Sequence, residues 1–391
     1  METKSVDTAK RSSWEKLQIA LGLVWLLDGA LQFQPFMFTK GFVNQILLPS
    51  AQGNPGWVSD PTISIAHYIE PHIAAWNAFF AALQVLIGIG IAGGALTRRP
   101  AITKIALLGS MAWALLVWWL SEGLGGILQE GSPLSGAPGA VILYGLIAIL
   151  LWPPSETAYL SPQIEKAVSR PAGDTAPNQP SANEAIAASP NEEEAERQLP
   201  SRLSTARYLM SDLRDHVTSN ASAKIIWAVL WIFNGFLLLE PSNQMPQAVS
   251  SSIKTAMSGQ PGWLHGLLAA AASALSGTGS WIDSLLAVAM IVIGAAVAFN
   301  LYPRAMLSAS IVISLAIWIF GEGLGGILTG QGTDPNSGLL WIILAGCLWA
   351  RLSITDERLL HRTSGRVYSN SGKMSIGAVQ RETVYSGTSS E

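Results

Sequence analysis

Two glutamates stand among glycines at the ends of long apolar segments, where a carboxyl group can do chemistry. Glu122 lies in SEGLGGIL and Glu322, 200 residues further on, lies in GEGLGGIL. A carboxylate in hydrocarbon is costly and usually faces a protein interior or a wet cavity, where it can bind a proton or a cation. A structural hydrogen bond between packed helices is the alternative for both residues.

A tryptophan precedes each glutamate by four residues, which is the spacing of neighbours on one helical face. This spacing predicts that Trp118, Glu122 and Gly126 stack on one face, and the same holds for Trp318, Glu322 and Gly326. The surrounding glycines would let a neighbouring helix approach closely. The motif therefore predicts either a packing seam or a carboxyl site beside a tryptophan.

Two further polar positions hold an acid in one half of the chain and an amide in the other. At an offset of 206 residues, Asp28 matches Asn234 and Asn77 matches Asp283. This reciprocal exchange predicts that positions 28 and 77 face each other, because an acid–amide hydrogen bond works from either side. Coincidence is the alternative, since two exchanges are a small sample.

Together these side chains predict an acidic pocket that opens toward the exterior. Its predicted residues are Asp28, Asn77 and Glu122, echoed in the second half by Asn234, Asp283 and Glu322. Gln32 and Gln84 are further candidates, because the second half has apolar residues in their places. A charged or polar ligand is therefore expected in the first half.

The histidines between the first two predicted helices are weak candidates for a metal or haem ligand. His67 and His72 are five residues apart, and this spacing does not place them on one helical face. Ordinary hydrogen bonds at the membrane interface are the favoured interpretation. The sequence identifies neither catalytic residues nor a bound cofactor.

Composition defines the class of protein more firmly than these motifs do. Hydrophobic residues make up 49% of the 391 residues and charged residues 13%, about half of the roughly 25% usual in globular proteins. Several uncharged stretches approach the roughly 20 residues that a helix needs to cross a bilayer. The chain is therefore predicted to be an integral membrane protein in contact with lipid, and no basic surface indicates a nucleic-acid partner.

Internal similarity predicts a tandem repeat of about 135 residues with four helices in each copy. Pro55-Gly56-Trp57, for example, recurs as Pro261-Gly262-Trp263. The predicted helices are 15–34, 73–97, 103–128 and 138–153, then 222–240, 279–301, 304–328 and 337–352. The expected fold is all-α, with eight transmembrane helices in two parallel four-helix repeats.

Lysine and arginine lie mainly on one side of these helices, and the positive-inside rule fixes the orientation. It predicts a multi-pass protein of the plasma membrane with both termini and the central linker in the cytoplasm. An even number of helices per repeat gives both repeats the same polarity. Their pseudo-twofold axis should therefore run along the membrane normal.

The segments outside the helices complete the domain organisation. Residues 1–14 form a cytoplasmic N-terminus, 15–154 and 222–352 the two membrane repeats, 155–221 a cytoplasmic linker and 353–391 a disordered cytoplasmic tail. The linker is rich in Pro, Ala, Asn and Glu, a composition typical of a disordered tether. Spaced leucines with arginines between them predict a short amphipathic helix near 203–217.

The opening of each half, LGLVWLLDGALQF and AVLWIFNGFLLLE, resembles the first helix of DoxX-type membrane proteins. The four-helix unit is similar too, so the resemblance covers about two-thirds of the chain. It implies a subunit of a quinone-linked membrane redox complex with a redox partner protein. The chain departs from that family in its fusion of two units, its repeated EGLGG and its single cysteine. Because Cys347 has no partner for a disulfide, any redox role would need an external cofactor or a quinone.

Three functions remain open from the sequence. The leading hypothesis is an outward-facing buried acidic pocket that binds a proton, a cation or a small polar molecule, as part of transport or of sensing. The alternatives are a quinone-linked oxidoreductase subunit of the DoxX kind and a structural membrane anchor of a complex or homo-oligomer.

Overall fold

The computed structural model describes residues 3–153 and 220–352, with side chains from Ser13 onward. Of the described residues 79% are helical and none lies in a β-strand, which confirms the predicted all-α class. The predicted amphipathic helix near 203–217, the rest of the linker up to residue 219 and the tail 353–391 lie outside these residues. Residues 3–153 are called the first half below, and residues 220–352 the second half.

The principal helices are numbered in chain order. The first half contains α1 (Thr3–Leu31), α2 (Gly56–Ile69), α3 (Ile73–Leu96), α4 (Pro100–Leu120) and α5 (Ala140–Leu150). The second half contains α6 (Asn220–Leu237), α7 (Ala248–Ala256), α8 (Gly262–Ala274), α9 (Gly279–Ala298), α10 (Pro303–Ala316) and α11 (Asn336–Leu352). Short helical turns lie between α1 and α2, from residue 35 to residue 51.

Four helical segments are long and apolar enough to cross a membrane, as expected of a membrane protein. They are Gly56–Leu96, Pro100–Leu120, Gly279–Ala298 and Pro303–Gly321. The shorter α5, α6 and α11 are also apolar. The 11 residues of α5 cover only about 16 Å, roughly half of the hydrocarbon core of a bilayer.

The third predicted helix of each half ends early, because the EGLGG motif adopts left-handed backbone angles. α4 ends at Leu120, and Gly125 beyond it has a φ of 64°. In the second half Gly325 has a φ of 69°. A right-handed helix cannot continue through such residues. The left-handed angles begin at Gly123 and Gly323, after each glutamate. Trp118 and Glu122 therefore still lie on one side, where both border Gly139, and Trp318 and Glu322 both border Gly338. The prediction that positions 126 and 326 share that helical face is wrong.

Other boundaries also differ from the prediction. α1 begins at Thr3, twelve residues before the predicted start, so the polar N-terminal residues continue the apolar helix. The predicted helices do not include α2, α7 and α8. Pro55 and Pro261 of the repeated motif are the residues before α2 and α8, and Trp57 is exposed.

α1 and α3 pack antiparallel along a seam of small residues. A Cβ at Gly22 would lie 2.8 Å from the Cβ of Ala92, and one at Gly29 would lie 2.5 Å from a methyl group of Val85. Between α6 and α9, a Cβ at Gly235 would lie 2.7 Å from the side chain of Ile291. Such close approach requires small residues. It also fixes the register of the two helices in each pair, and therefore which polar residues on one helix lie opposite which residues on the other.

The loop end of the bundle is formed by residues 32–72, 121–139, 238–278 and 322–335. There the hydroxyl of Ser242 donates to the carbonyl of Glu130 at 3.3 Å. At the opposite end, Nη2 of Arg351 donates to the carbonyl of Leu150 at 2.8 Å. The loop ends of both halves therefore lie on the same side of the bundle.

Candidate functional site

Glu122 and Glu322 each accept hydrogen bonds from the first turn of the following helix. The N–H of Val141 donates to Oε1 of Glu122 at 3.2 Å, at the start of α5. The N–H of Gly338 donates to Oε2 of Glu322 at 3.0 Å, and the hydroxyl of Ser337 donates to its Oε1 at 2.5 Å. A carboxylate at a helix N-terminus satisfies free N–H groups and interacts favourably with the helix dipole. Both glutamates therefore act as helix caps.

The tryptophans of the two motifs close the same loop. The indole Nε1 of Trp118 donates to the carbonyl of Pro138 at 2.8 Å, and that of Trp318 donates to the carbonyl of Pro335 at 2.7 Å. A Cβ at Gly125 would collide with the carbonyl oxygen of Pro138. The motif thus holds the end of α4 against the start of α5, and the end of α10 against the start of α11. This favours a role of its residues in helix packing over a role in ligand binding.

Asp28 is placed differently, in the interior of the first half. Its side chain is 2% exposed and faces the hydroxyl of Tyr144 on α5. Oδ1 of Asp28 and the Tyr144 hydroxyl have no hydrogen-bond partner of ordinary geometry. One turn away, the ring of Trp25 packs against Tyr144 with centroids 4.5 Å apart, and its Nε1 donates to Ser110 at 2.9 Å. Asp28 and Tyr144 therefore form a buried acid–phenol pair with capacity for a further partner.

The predicted hydrogen bond between positions 28 and 77 is absent. Nδ2 of Asn77 donates to the backbone carbonyl of Gln32 at 2.7 Å instead. The seam between α1 and α3 explains the error, since Gly29 faces Ala81 and Val85. Asp28 is therefore level with position 84, about 10 Å along α3 from Asn77. The exchange of acid and amide between the halves does not mark a pair in contact.

Gln32 and Gln84 lie on the same buried seam, as expected for members of a polar cluster. Both are buried, and the Oε1 atom of each has no hydrogen-bond partner. Oδ1 of Asn77 is also without a partner. These oxygens, with Asp28 and Tyr144, define the polar cluster of the first half.

The second half lacks this cluster. Asn234 donates to the carbonyl of Leu230 within its own helix at 2.8 Å. Trp341 packs against Trp231 with ring centroids 5.9 Å apart, so a tryptophan takes the place of Tyr144. Asp283 is 1% exposed, and neither carboxyl oxygen has a hydrogen-bond partner. It is a lone buried acid, separate from Asn234.

Asp334 links the acids of the two halves. It belongs to the turn before α11, where its Oδ1 accepts from the N–H of Asn336 at 2.7 Å. Burial raises the pKa of this loop carboxyl above its usual range, although hydrogen bonds from Thr333 and Asn336 act in the opposite direction. Its charge acts on Asp28, Glu122 and Glu322. The second half thus contributes to the electrostatics of the first.

The histidines lie at the end of α2. His67 is in the last turn of that helix, and His72 ends the 3-10 turn that follows it. Across the described residues, no group of three or more His, Cys, Asp or Glu side chains is placed to hold a metal ion. Their role as metal or haem ligands therefore stays a weak expectation from the sequence.

Tyr144 and Asp334 are not among the residues predicted from the sequence. Tyr144 is the one polar side chain in the apolar sequence of α5, and this was the signal that could have identified it. Asp334 lies in a turn, and its electrostatic effect on the first half depends on contacts between the halves. No pattern along the chain reveals such contacts.

Comparisons with protein-family models, with curated proteins and with solved structures give no match. The resemblance to DoxX-type proteins therefore stays an expectation from the sequence. What the structure defines is a class: a helical protein with four helices suited to crossing a membrane, which buries an acid–phenol pair between α1 and α5.

Proposed function

We propose that this chain is an eight-helix plasma-membrane protein that binds a proton, a small cation or a small polar molecule at the polar cluster of the first half. The observation that carries the proposal is the buried Asp28 carboxyl facing Tyr144, with Oδ1 left without a partner. Intramembrane acids are expensive and usually mark ion or proton pathways. The exterior is the expected side of access, because the loop end lies nearest to Asp28.

The proposed architecture is two parallel four-helix repeats with their pseudo-twofold axis along the membrane normal. Its support is the recurrence of the same contacts in both halves, including the capped glutamates and the tryptophan–carbonyl bonds. The meeting of both loop ends on one side of the bundle supports equal polarity.

Single-cysteine labelling tests the orientation. In a Cys347→Ala background, Ser181→Cys in the linker should react with an impermeant maleimide only after the membrane is opened. Ser258→Cys, an exposed position between α7 and α8, should react in intact cells. The reverse pattern would reject the proposed orientation.

Carboxyl labelling tests the binding site. Dicyclohexylcarbodiimide, an apolar reagent for protonated carboxyl groups, should modify Asp28 in protein reconstituted into liposomes, with the product identified by peptide mass spectrometry. Asp28→Asn should abolish that product and leave labelling of Asp283 unchanged. If Asp28 is unreactive from about pH 3.5 to about pH 9, a range that spans ordinary and raised carboxyl pKa values, the proposal fails.

Structural anchoring has one observation in its favour, namely the role of Glu122 and Glu322 as helix caps. It explains those two residues but leaves Asp28 without a function. The quinone-linked alternative rests on the resemblance alone. Extraction of a quinone from purified protein, or haem or flavin bands in its absorption spectrum, would favour that alternative.

A further inference from the structure

We propose that the ligand of the polar cluster is a monovalent cation, held by the Asp28 carboxylate and by neighbouring amide oxygens. This inference rests on the proposed function and narrows its ligand class. Three observations carry it: the chemical type of the atoms left without partners, the sign of the charges around Asp28, and the absence of the same set from the second half.

The atoms without partners in the cluster are oxygens. They are Oδ1 of Asp28, Oε1 of Gln32, Oδ1 of Asn77, Oε1 of Gln84 and the hydroxyl of Tyr144. A buried acceptor without a partner is costly, so the missing group supplies positive charge or N–H donors. An anion would be repelled by the Asp28 carboxylate, although the Tyr144 hydroxyl and the amide NH2 groups of Gln32 and Gln84 could donate to it.

These oxygens lie close together along the chain and across the seam. Asp28 and Gln32 are one helical turn apart on α1, and Gln32 is tied to Asn77 by the 2.7 Å hydrogen bond across to α3. Gln84 is at the level of Asp28, as the contacts of Gly29 with α3 show. The oxygens therefore line about two turns of a single buried seam. Asn77 lies at one end of it, so the proposed ligands of the cation are the oxygens of Asp28, Gln32, Gln84 and Tyr144.

The charges around Asp28 also favour a cation. The titratable groups that act on its carboxyl are Tyr144 from α5, Glu122 from the loop after α4, and Asp334 from the turn before α11. None of these groups is basic, and α3 contributes the neutral amides of Asn77 and Gln84. Among the described residues, no positive counter-charge therefore acts on this carboxyl.

One carboxylate among neutral oxygens matches a monovalent ion better than a divalent one. Structural Ca²⁺ sites combine several carboxylates, and no cluster of three such ligands exists in the described ranges 3–153 and 220–352. A proton competes with the cation, because protonation of Asp28 removes the single negative ligand.

The second half supplies an internal comparison. At an offset of 206 residues, Asn234, Leu238 and Met290 replace Asp28, Gln32 and Gln84. Nε2 of Gln244 donates to the carbonyl of Leu238 at 2.7 Å. This loop residue therefore makes the hydrogen bond that Asn77 makes to the carbonyl of Gln32 in the first half. Asp283 keeps a carboxyl, but the second half has apolar residues in place of Gln32 and Gln84, and Asp283 should not hold a cation.

The test measures protection of Asp28 from dicyclohexylcarbodiimide by NaCl, KCl and NH4Cl, with choline chloride as the ionic-strength control. At least one of the three cations should slow labelling of Asp28 by about tenfold, which corresponds to about 1.4 kcal/mol. Labelling of Asp283 in the same sample should not change. Gln84→Leu should leave Asp28 reactive but abolish the protection.

The outcomes separate this inference from the proposed function. Labelling of Asp28 that no cation slows would overturn the cation and leave the proposed site standing, with ordered water as the occupant of the cluster. Lack of labelling at any pH would overturn both. As a second readout, the protecting cation should raise the unfolding temperature of the wild-type protein but not that of Asp28→Asn or Gln84→Leu, and an equal rise in all three would also overturn the inference.

Discussion

The backbone N–H of Val141 donates to the carboxylate of Glu122 across 3.2 Å and so joins the end of α4 to the first turn of α5. The corresponding bond in the second half runs from Gly338 to Glu322. A repeated acid in a membrane protein first indicates an ion site, but these contacts show helix capping. The candidate for ligand binding is the less conspicuous Asp28.

Removal of a capping carboxylate should destabilise the protein without removing its ligand. Glu322→Ala should lower the free energy of unfolding by about 1–2 kcal/mol, because the N–H of Gly338 loses its acceptor. Glu322→Gln should cost less than about 1 kcal/mol, since the amide oxygen still accepts. Thermal unfolding in detergent measures both, and exposed Glu130→Ala is the control. Equal losses for Gln and Ala would contradict the capping role.

Gly125 and Gly325 should not tolerate a side chain. At Gly125→Ala the left-handed φ and the carbonyl of Pro138 both oppose a Cβ, so a loss of more than about 2 kcal/mol is expected. Gly93→Ala in α3, where a Cβ meets open space, is the matched control and should be neutral or stabilising. Yield and unfolding temperature report the difference, and similar values for both variants would refute this account of the motif.

Tyr144→Phe should distinguish the contribution of the Tyr144 ring to packing from the effect of its hydroxyl on Asp28. Phenylalanine keeps the ring contact with Trp25, so the free energy of unfolding should change by less than about 1 kcal/mol. Loss of the hydroxyl should change the pH profile of Asp28 labelling, because the carboxyl loses its neighbouring donor. Exposed Tyr302→Phe is the control for both measurements. An unchanged labelling profile would exclude the phenol from the site.

Asp334 should make the protein less stable as the pH rises. Because its folded pKa is raised by burial, its favourable contribution is complete below the unfolded value, near 3.9, and is lost as the pH rises through the folded value. Asp334→Asn keeps the Oδ1 acceptor for Asn336 and removes the charge. The unfolding temperature of the variant should therefore fall less than that of the wild type between about pH 4 and about pH 8. Exposed Asp60→Asn is the control and should show the same change of unfolding temperature with pH as the wild type. If the unfolding temperature of Asp334→Asn falls more steeply than that of the wild type, the Asp334 carboxyl does not destabilise the protein as the pH rises.

Arg351 should stabilise the contact between the halves, and Gln18 the packing of α1 against the end of α5, both away from the loop end. They donate to the carbonyls of Leu150 and Leu151 at 2.8 and 2.9 Å, where α5 ends. Arg351→Met or Gln18→Leu should each cost about 1–3 kcal/mol, because a buried carbonyl loses its donor. Exposed Arg99→Met is the control in the same unfolding assay. If either variant loses no more free energy of unfolding than the control does, its hydrogen bond does not stabilise the protein.

The sequence predicted the helices that depend on composition and missed what depends on backbone conformation. The start of α3 at Ile73 matches the prediction, because a long apolar run with few alternatives must be helical. The end of α4 does not, since glycine permits both helical and left-handed angles, and the choice is made by packing against Pro138.

The candidate site was predicted by residue type and not by geometry. Asp28 was identified from its exchange with an amide in the second half, and Gln32 and Gln84 from their apolar counterparts there; all three are buried. The pairing of Asp28 with Asn77 was wrong because register is set by glycine contacts between α1 and α3. Similarity between the halves shows which positions correspond, but it does not show which positions touch.

The carbonyl of Leu134 in the first half packs directly against Gly321 in the second half. Asp334 of the second half also interacts electrostatically with Asp28 of the first half. Each half is therefore no longer a self-sufficient copy. If the chain were expressed as two polypeptides divided in the linker, each would need contacts from the other to complete its fold. The two fragments should therefore assemble when they are co-expressed, and each should be degraded when it is expressed alone. Fusion of the two units guarantees a one-to-one pairing that independent subunits would have to reach by diffusion.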